Sequence, residues 1–319
     1  MTTNTLRPAE LEHDFGQLAA LFSLEQDEPS SEPGLKVDYE VHKERIIRLM
    51  VAEDEQGELM GFNWATRSRF DTNQVYFYVM VKPERRRQGA GRRLYEDLEQ
   101  IANKTQVKQL QISIRDNSPE CKSFAEQRGF IEQSHYIGLA LNLDTFDDRS
   151  YDEIITKLKG EGIQFTSMEA LGNTEEMQRK LYLLNDSAVM ETIVPEDKHS
   201  WLSFDDFQKK ICQMDWYKPS GQMIAIDTVT GNWAAMSAIT RYEGSDHADN
   251  LHTGVDRRYH GRKIVQAIMV QALRHAQDVL KVNRVHSYES AQNLHTIAIY
   301  RELGYVQIPG TFSMEKILK

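Results

Sequence analysis

The most informative segment of this chain reads Val81-Lys-Pro-Glu-Arg-Arg-Arg-Gln-Gly-Ala-Gly91. Residues 75–81 read Val-Tyr-Phe-Tyr-Val-Met-Val, which is typical of a strand buried on both faces. Apolar residues then recur at helical spacing over 94–102, which predicts a helix beginning near Gly89. Such a turn gathers unpaired backbone N–H groups, and the helix dipole adds about half a positive charge. Because Gly89 and Gly91 lack side chains, a phosphate can approach the backbone, so the stretch predicts a diphosphate-binding loop.

Three arginines, Arg85 to Arg87, add positive charge to this loop, and other interpretations of it stay open. In one interpretation the arginines are solvated and the glycines only shape a turn. In another, Gly89-Ala-Gly91 begins the G-x-G-x-x-G fingerprint of dinucleotide-binding proteins, but Leu94 stands where the third glycine belongs. A Walker loop is not supported, because no Lys-Ser or Lys-Thr pair follows the glycines.

A second copy of the pattern lies further along the chain. Val81 corresponds to Val255, an offset of 174 residues, and Phe130 corresponds to Tyr305, an offset of 175. The second copy has a strand at 251–255, a basic loop, a helix from 264, a strand at 285–288 and a helix opened by Asn293. Two similar blocks at a nearly constant offset indicate a duplicated domain. Since the segment 144–150 is polar and rich in turn residues, we predict domains at 1–150 and 151–319.

The composition is that of a soluble globular protein. The chain has 319 residues, 40% of them hydrophobic, which is enough for two domains. The formal net charge of −10 argues against nonspecific nucleic-acid binding and against docking on an anionic membrane. The first 15 residues lack the apolar segment of a secretory signal, and no run of 18 apolar residues predicts a membrane span. We therefore expect a cytoplasmic protein.

The cysteines and two of the histidines form no metal-binding pattern. Cys121 and Cys212 are far apart and show no CxxC or Cys/His spacing, so we expect free thiols in a reducing compartment. Cys121 has no flanking signature of a nucleophile. His247 and His295 lack paired ligand spacing, and no metal is predicted.

Together these motifs resemble the GNAT superfamily of N-acetyltransferases. The specific part is Arg86-x-x-Gly89-x-Gly91, which is similar to that family's (Gln/Arg)-x-x-Gly-x-(Gly/Ala) loop. Asn117 and a helix ending in Gly129-Phe130 follow, as in the family. Residues 253–263 resemble the C-terminal copy of tandem members, which include mycothiol-synthase-like proteins. The resemblance implies an α/β (α+β) fold of two tandem GNAT-like domains, each with a mixed, mostly antiparallel central sheet flanked by helices.

The resemblance also implies where acetyl-CoA binds as the cosubstrate. The pantetheine arm would pair with the end of the central strand, and the thioester oxygen would meet strand N–H groups that stabilise an oxyanion. In the first domain, the implied binding residues are Val79, Val81, Arg86, Arg87, Gln88, Gly89, Ala90, Gly91, Arg92 and Asn117. In the second domain, they are Val255, Arg262, Lys263 and Asn293.

The two copies differ at the position of the general acid. In the family, a tyrosine five residues before the last aromatic of the later helix protonates the departing thiolate. This position is Tyr300 in the second copy and Ala125 in the first. A phenol is protonated at neutral pH and can donate to a thiolate. However, an aromatic residue beside Ile297, Ile299 and Leu303 is often simply part of the core.

The diphosphate loop shows the opposite asymmetry. The positions of the arginine and two glycines of the first loop hold His260, Lys263 and Val265 in the second. Either these side chains crowd the diphosphate, or Lys263 and Arg262 supply charge that replaces close approach of the backbone.

Candidates for the general base are weaker. A base must lie near the opening of the sheet, early in each central strand. His252 and Asp249 satisfy this condition in the second copy, and Asp71 and Gln74 in the first, although glutamine cannot act as a base. A structural or surface role is the more common one for such residues.

The sequence thus predicts transfer of an acetyl group from acetyl-CoA to a small amine by direct attack. Tyr300 favours chemistry in the second copy, while the intact loop leaves the first copy open as the active one. The alternative is a catalytically weak acyl-CoA-binding or regulatory protein. The expected partners are the small amine and acetyl-CoA, with no nucleic acid and no membrane, in a monomer or homodimer. The excess of acidic over basic residues favours a positively charged acceptor.

Overall fold

The structure is a computed structural model that describes residues 5–25, 30–68, 71–189, 203–214, 216–242 and 244–318. The chain divides into two compact units. The first unit comprises Met1–His135 and Thr311–Lys319, and the second comprises Tyr136–Gly310.

The first unit contains a six-stranded sheet. Its strands are β1 (Thr5–Pro8), β2 (Ile46–Glu53), β3 (Leu59–Arg67), β4 (Gln74–Val81), β5 (Gln109–Arg115) and residues 311–317 of the last strand of the chain, β12 (Val306–Ile317). They lie in the order β1-β2-β3-β4-β5-β12, and β4 and β5 are the one parallel pair among these strands. The mixed, mostly antiparallel sheet is confirmed.

Helices cover both faces of this sheet. They are α1 (Leu11–Glu25), α2 (Glu32–His42), α3 (Ala90–Lys104) and α4 (Pro119–Glu126). Side chains alternate between the faces of a strand, and β3 shows this directly. Phe62 and Trp64 pack with α1, whereas Ala65 joins the core beneath α3 and α4.

The second unit repeats this order with different strands. Its strands are residues 136–142 of β6 (Ile131–Asn142), β7 (Ile163–Ser167), β8 (Gln222–Asp227), β9 (Trp233–Thr240), β10 (Ala248–Val255) and β11 (Arg284–Ser290). Its helices are α5 (Asp152–Gly160), α6 (Glu175–Val189), the single-turn α7 (Phe204–Phe207), α8 (Ile264–Asp278) and α9 (Leu294–Glu302). The sheet order is β7-β8-β9-β10-β11-β6, again with one parallel pair, β10 and β11. Within the ranges that the structure describes, no helix is long and apolar enough to cross a membrane.

Strand pairing divides the chain differently from the sequence repeat. Residues 136–142 precede the predicted boundary at 150 but pair with β11 of the second unit. Residues 311–317 belong to the predicted second domain, 151–319, but pair with β5 of the first unit. The compact units therefore differ from the predicted domains 1–150 and 151–319, because the strand that completes each sheet comes from the other repeat.

The parallel pair of each unit is short. β4 and β5 are paired only from Gln74 to Tyr76, and β10 and β11 only at Ala248 and Asp249. Beyond these points the two strands are no longer paired and part from each other. We call the point of divergence the vertex and the space beyond it the opening.

We expect that removal of residues 311–319 unfolds the first unit. The deletion takes away the strand partner of β5 and the fully buried Met314, and the loss of one such side chain costs about 2–5 kcal/mol. Hydrogen exchange of the β5 amides measures the effect, with deletion of Lys319 alone as the control. Unchanged protection of β5 in the longer deletion would show that the exchanged strand is dispensable.

Candidate active site

Backbone groups of the central strand point into the opening of the first unit. The bond from Lys82 N–H to the Met60 carbonyl sets the alternation of the antiparallel pair, so even-numbered residues of β4 bond to β3. Val79 and Val81 consequently direct their N–H and C=O groups away from β3, toward β5. The pairing with β5 ends at Tyr76, so these groups lie along the opening. This arrangement supports the predicted role of Val79 and Val81, although the Val81 carbonyl accepts a hydrogen bond from Arg86 Nε at 3.2 Å.

The start of α3 forms a cradle of backbone amides. Gly89 is the N-cap with φ of +92°, in the left-handed region that only glycine adopts without cost, and Arg87 also has a positive φ of 63°. The first internal hydrogen bond of the helix runs from Arg93 N–H to the Gly89 carbonyl. The N–H groups of Ala90, Gly91 and Arg92 therefore precede the helical ladder and are directed outward. A β-carbon at Gly89 would meet no atom within 4 Å, so the approach to these amides is open.

The arginines around this cradle are partly engaged within the protein. Arg85 pairs with Asp54 at 3.0 Å, and Arg86 lies 3.5 Å from Glu120. Arg92 pairs with Glu96 one helical turn later, and Gln88 donates to the Glu84 carbonyl. Arg87 is exposed at the rim. The positive field of the loop therefore comes more from the helix start than from three unengaged arginines.

The second unit has the same cradle backbone built from different residues. Gly261 has φ of +74°, and Lys263, the N-cap of α8, has φ of +59°. They correspond to Arg87 and Gly89, so each loop places one glycine and one larger residue at two left-handed positions. The first internal bond, from Ala267 N–H to the Lys263 carbonyl, is also equivalent. Lys263 thus preserves the cradle, and its side chain extends from the position where the first unit is open.

A second substitution narrows the space behind the cradle. A β-carbon at Gly91 would lie 3.5 Å from Val81 and 3.8 Å from Phe124, which is ordinary contact. The equivalent Val265 is partly buried and packs, with Val255, against the core of the second unit. Arg262, also in this loop, pairs with Glu161 at 2.8 Å. The cradle of the first unit is therefore the more accessible of the two.

The Tyr300 hydroxyl lies at the vertex of the second unit. It donates to Asn250 Oδ1 at 2.7 Å and accepts from Ser287 Oγ at 2.8 Å. Asn250 and Ser287 are the first residues of β10 and β11 beyond their last shared pair. The tyrosine is fully buried, and burial raises its pKa above the ordinary value, so the phenol stays protonated.

Further polar side chains extend this network. Asn250 Nδ2 donates to Ser237 Oγ at 2.9 Å, and Ser237 and Thr253 hydroxyls lie 3.0 Å apart. Sequence analysis missed Asn250, Ser287, Ser237 and Thr253. The available signal was a polar residue in each of three strands, which becomes meaningful only when the strands are placed side by side.

Among the first-unit residues that the structure describes, the equivalent place holds no such network. Ala125, which corresponds to Tyr300 in the sequence repeat, is buried. The space is lined by aromatic rings, with Phe77 and Phe130 centroids 5.7 Å apart and Tyr95 and Phe130 centroids 6.1 Å apart. Among the described residues, the vertex of the first unit is therefore filled by packed aromatic rings, whereas the vertex of the second unit holds a hydroxyl group that can donate a proton.

The predicted bases differ in how far they are exposed to solvent. Asp71 is exposed in the turn before β4, and Gln74 donates to Gln111 at 2.5 Å. In the second unit, Asp249 is buried at the vertex. His252 has a buried Nε2 without a hydrogen-bond partner among the described residues, and burial lowers its pKa to about 4. The His252 imidazole is therefore neutral at pH 7 and a weak proton acceptor.

The helix starts after β5 and β11 are not equivalent at the predicted asparagines. Asn293 is the N-cap of α9 and accepts from Thr296 N–H at 3.3 Å, whereas the N-cap of α4 is Ser118 and Asn117 lies one residue earlier, exposed. Asn293 also hydrogen-bonds Glu289, whose pKa burial raises to about 7. Glu289 was not predicted from the sequence. Across the described part of the chain, no three His, Cys, Asp or Glu side chains are grouped to hold a metal ion.

Comparison with known proteins agrees with this geometry. The model of the acetyltransferase (GNAT) family matches residues 17–130. An uncharacterized N-acetyltransferase, YhfO of Bacillus subtilis (strain 168), is 28% identical over 133 residues, which cover 40% of this chain and 87% of that protein.

Two solved structures are similar over almost the whole chain. A GCN5-related N-acetyltransferase from Sphaerobacter thermophilus has a TM-score of 0.71 at 17% identity, covering 98% of this chain and 95% of its own. A tandem GNAT protein from the clavulanic acid biosynthesis pathway has a TM-score of 0.70 at 16% identity, covering 99% and 98%. The fold of both units is thus that of tandem GNAT proteins.

We expect Lys263→Gly to raise the free energy of unfolding by about 0.5–1 kcal/mol, because glycine adopts the left-handed backbone at this N-cap without steric cost. Lys157→Gly, within helix α5, is the matched control and should lower it by about 1 kcal/mol. Chemical denaturation of the two variants measures both effects. Equal destabilisation by both substitutions would contradict the strained cradle at Lys263.

Proposed function

We propose that the protein transfers the acetyl group of acetyl-CoA to a small amine by direct attack. The proposal starts from the match of residues 17–130 to the model of the acetyltransferase (GNAT) family. The family supplies the acyltransferase activity and the use of acetyl-CoA. The amine acceptor, the mechanism and the division of labour between the units are proposals that rest on the geometry of the two openings.

The observation that carries the proposal is the position of the Tyr300 hydroxyl. It bonds to both strands of the second unit at the residues where they part, Asn250 and Ser287. A thioester whose pantetheine arm lies along the opening would bring its sulfur to this vertex. A phenol held there in its protonated form can donate to a departing thiolate. We therefore assign the chemistry to the second unit and the role of general acid to Tyr300.

The backbone of β10 supplies the complementary group. The bond from Asp256 N–H to the Ala234 carbonyl sets the alternation with β9, so Thr253 and Val255 direct their N–H groups into the opening. Bound acetyl-CoA supplies an acetyl group activated as a thioester. The N–H groups of Thr253 and Val255 are placed to donate to an oxyanion that forms in the opening. Asn250 and Ser287 hold the Tyr300 hydroxyl until its proton passes to the sulfur.

The cradles fit the diphosphate of CoA in two ways. In the first unit, the open approach at Gly89 lets a diphosphate reach the amides of α3 directly. In the second unit, Lys263 adds an ammonium group, a common phosphate-binding group, to the same backbone cradle. Val265 narrows the second site, so we expect weaker binding there.

The first unit is suited to bind acyl-CoA without catalysing acetyl transfer. It has the more accessible cradle but Ala125 in place of the acid. We therefore propose the second candidate function, acyl-CoA binding or regulation without catalysis, for the first unit only. Cytoplasmic location and a monomeric or homodimeric state stay predictions.

We expect Tyr300→Phe to lower kcat about a hundredfold, because the variant loses the proton donor and keeps the ring. The assay measures free CoA released with a panel of small primary amines, and calorimetry shows that acetyl-CoA binding is retained. Tyr305→Phe is the matched control. Tyr305 is also buried, but its hydroxyl has no hydrogen-bond partner among the described residues, so we expect its turnover to stay close to that of the wild type. If Tyr300→Phe turns over as fast as the wild type, the chemistry belongs elsewhere.

A further inference from the structure

Three titratable side chains meet at the vertex of the second unit without a role in the mechanism above. Asp249 and His286 form the last register pair of β10 and β11 before the strands part. The His286 ring stacks on His247 with centroids 3.9 Å apart, and His247 Nε2 lies 3.9 Å from Asp249 Oδ2. The exposed fractions are 7% for Asp249, 6% for His286 and 1% for His247.

This cluster lies on the face of the sheet opposite Tyr300. Asn250 and Ser287 turn their side chains toward Tyr300, and side chains of adjacent residues in a strand point to opposite faces. Asp249 and His286, which directly precede them, therefore point to the other face. The opening is thus bordered by a proton donor on one face and by the cluster on the other.

A β-bulge adds His252 to the cluster's face. The register of β10 against β9 shifts between Asn250 and His252. Beyond the shift, Thr253 Oγ1 lies 3.1 Å from Asn250 Oδ1, so Thr253 shares the face of Tyr300 and His252 points away from it. Without the extra residue, His252 would share a face with Asn250 instead. The bulge therefore brings a neutral imidazole to the same side as Asp249.

The charged groups around the cluster can stabilise one additional proton on it. Two stacked imidazoles repel each other when both are protonated, so the stacking disfavours a second positive charge in the pair. Carboxylates beside the rings stabilise one positive charge. Asp246 lies 2.8 Å from His247 Nδ1, where Ser245 Oγ also lies within 3.2 Å, and Asp249 faces His247 Nε2. Arg284 acts on Asp246 from the start of β11.

We propose that Asp249, supported by His247 and His286, accepts the proton of an ammonium group, so that the acceptor is a cationic primary amine entering on the face of the sheet opposite Tyr300. The inference rests on the proposed function. The ammonium N–H bond breaks and its proton passes to the Asp249 carboxylate. The free nitrogen then forms a bond to the acetyl carbon, and the carbon–sulfur bond breaks. Tyr300 gives its proton to the departing sulfur and regains one from water. Asp249 takes the second proton from nitrogen after the first has left through the cluster to water, so one proton is released overall.

The test compares Asp249→Asn with the wild type on the primary amine that the wild type acetylates fastest. At pH 7 we expect kcat/KM for the amine to fall about a hundredfold, the usual scale of general-base catalysis. At pH 10 a large fraction of an alkyl amine is already neutral, so the defect should shrink to about tenfold or less. Acetyl-CoA affinity and the melting temperature should match those of the wild type. Asp278→Asn, on the exposed end of α8, is the control and should leave turnover unchanged.

The possible outcomes distinguish a failure of the Asp249 assignment from a failure of the proposed function. A defect of equal size at pH 7 and pH 10 would mean a merely structural role, and a variant as fast as the wild type would mean no role. Either result overturns the assignment of Asp249 while leaving the acetyltransferase intact. If Asp249→Asn does not fold, His286→Gln tests the cluster from the neighbouring strand, with the same dependence on pH expected. A wild type that acetylates no primary amine would overturn the proposed function and this inference together.

Discussion

Two parallel strands in each unit share backbone pairing for only two or three residues and then part. Every function argued for this chain depends on that divergence. Backbone N–H and C=O groups are obligatory hydrogen-bonding groups, so a strand that loses its neighbour needs another partner. The amides of a pantetheine arm can pair with the exposed side of β4 or β10 as an added strand would. In the proposed complex, the helix that follows each strand brings its first amides to the diphosphate.

The two units distribute the parts of the site unevenly. The first unit keeps an open cradle at Gly89 and an aromatic vertex, whereas the second places Tyr300, Asn250 and Ser287 at the vertex and Lys263 in the cradle. Buried polar networks are stabilising only when their members are satisfied. The network around Tyr300 meets this condition through five side chains of strands β9, β10 and β11 and helix α9.

Local sequence patterns predicted the fold well because the core obeys simple periodicity. The strand at 75–81, the helix after Gly89 and their repeat near Val255 and Lys263 all lie where the patterns indicated. The exchange of strands was beyond such patterns, because nothing local in residues 311–317 distinguishes pairing with β5 from pairing within their own repeat. The same limit applies to the site. Tyr300 was found by its distance from Tyr305, but Asn250, Ser287 and His286 come together only through the register of two strands.

The most direct test is a crystal structure of the full chain with acetyl-CoA. We expect the diphosphate within hydrogen-bond distance of the N–H groups of Ala90, Gly91 and Arg92, and the pantetheine arm beside Val79. If acetyl-CoA also occupies the second opening, we expect its sulfur next to the Tyr300 hydroxyl. A diphosphate bound away from both helix starts, or a pantetheine arm outside the openings, would contradict the central claim that parted strands and the helix starts after them form the acyl-CoA sites.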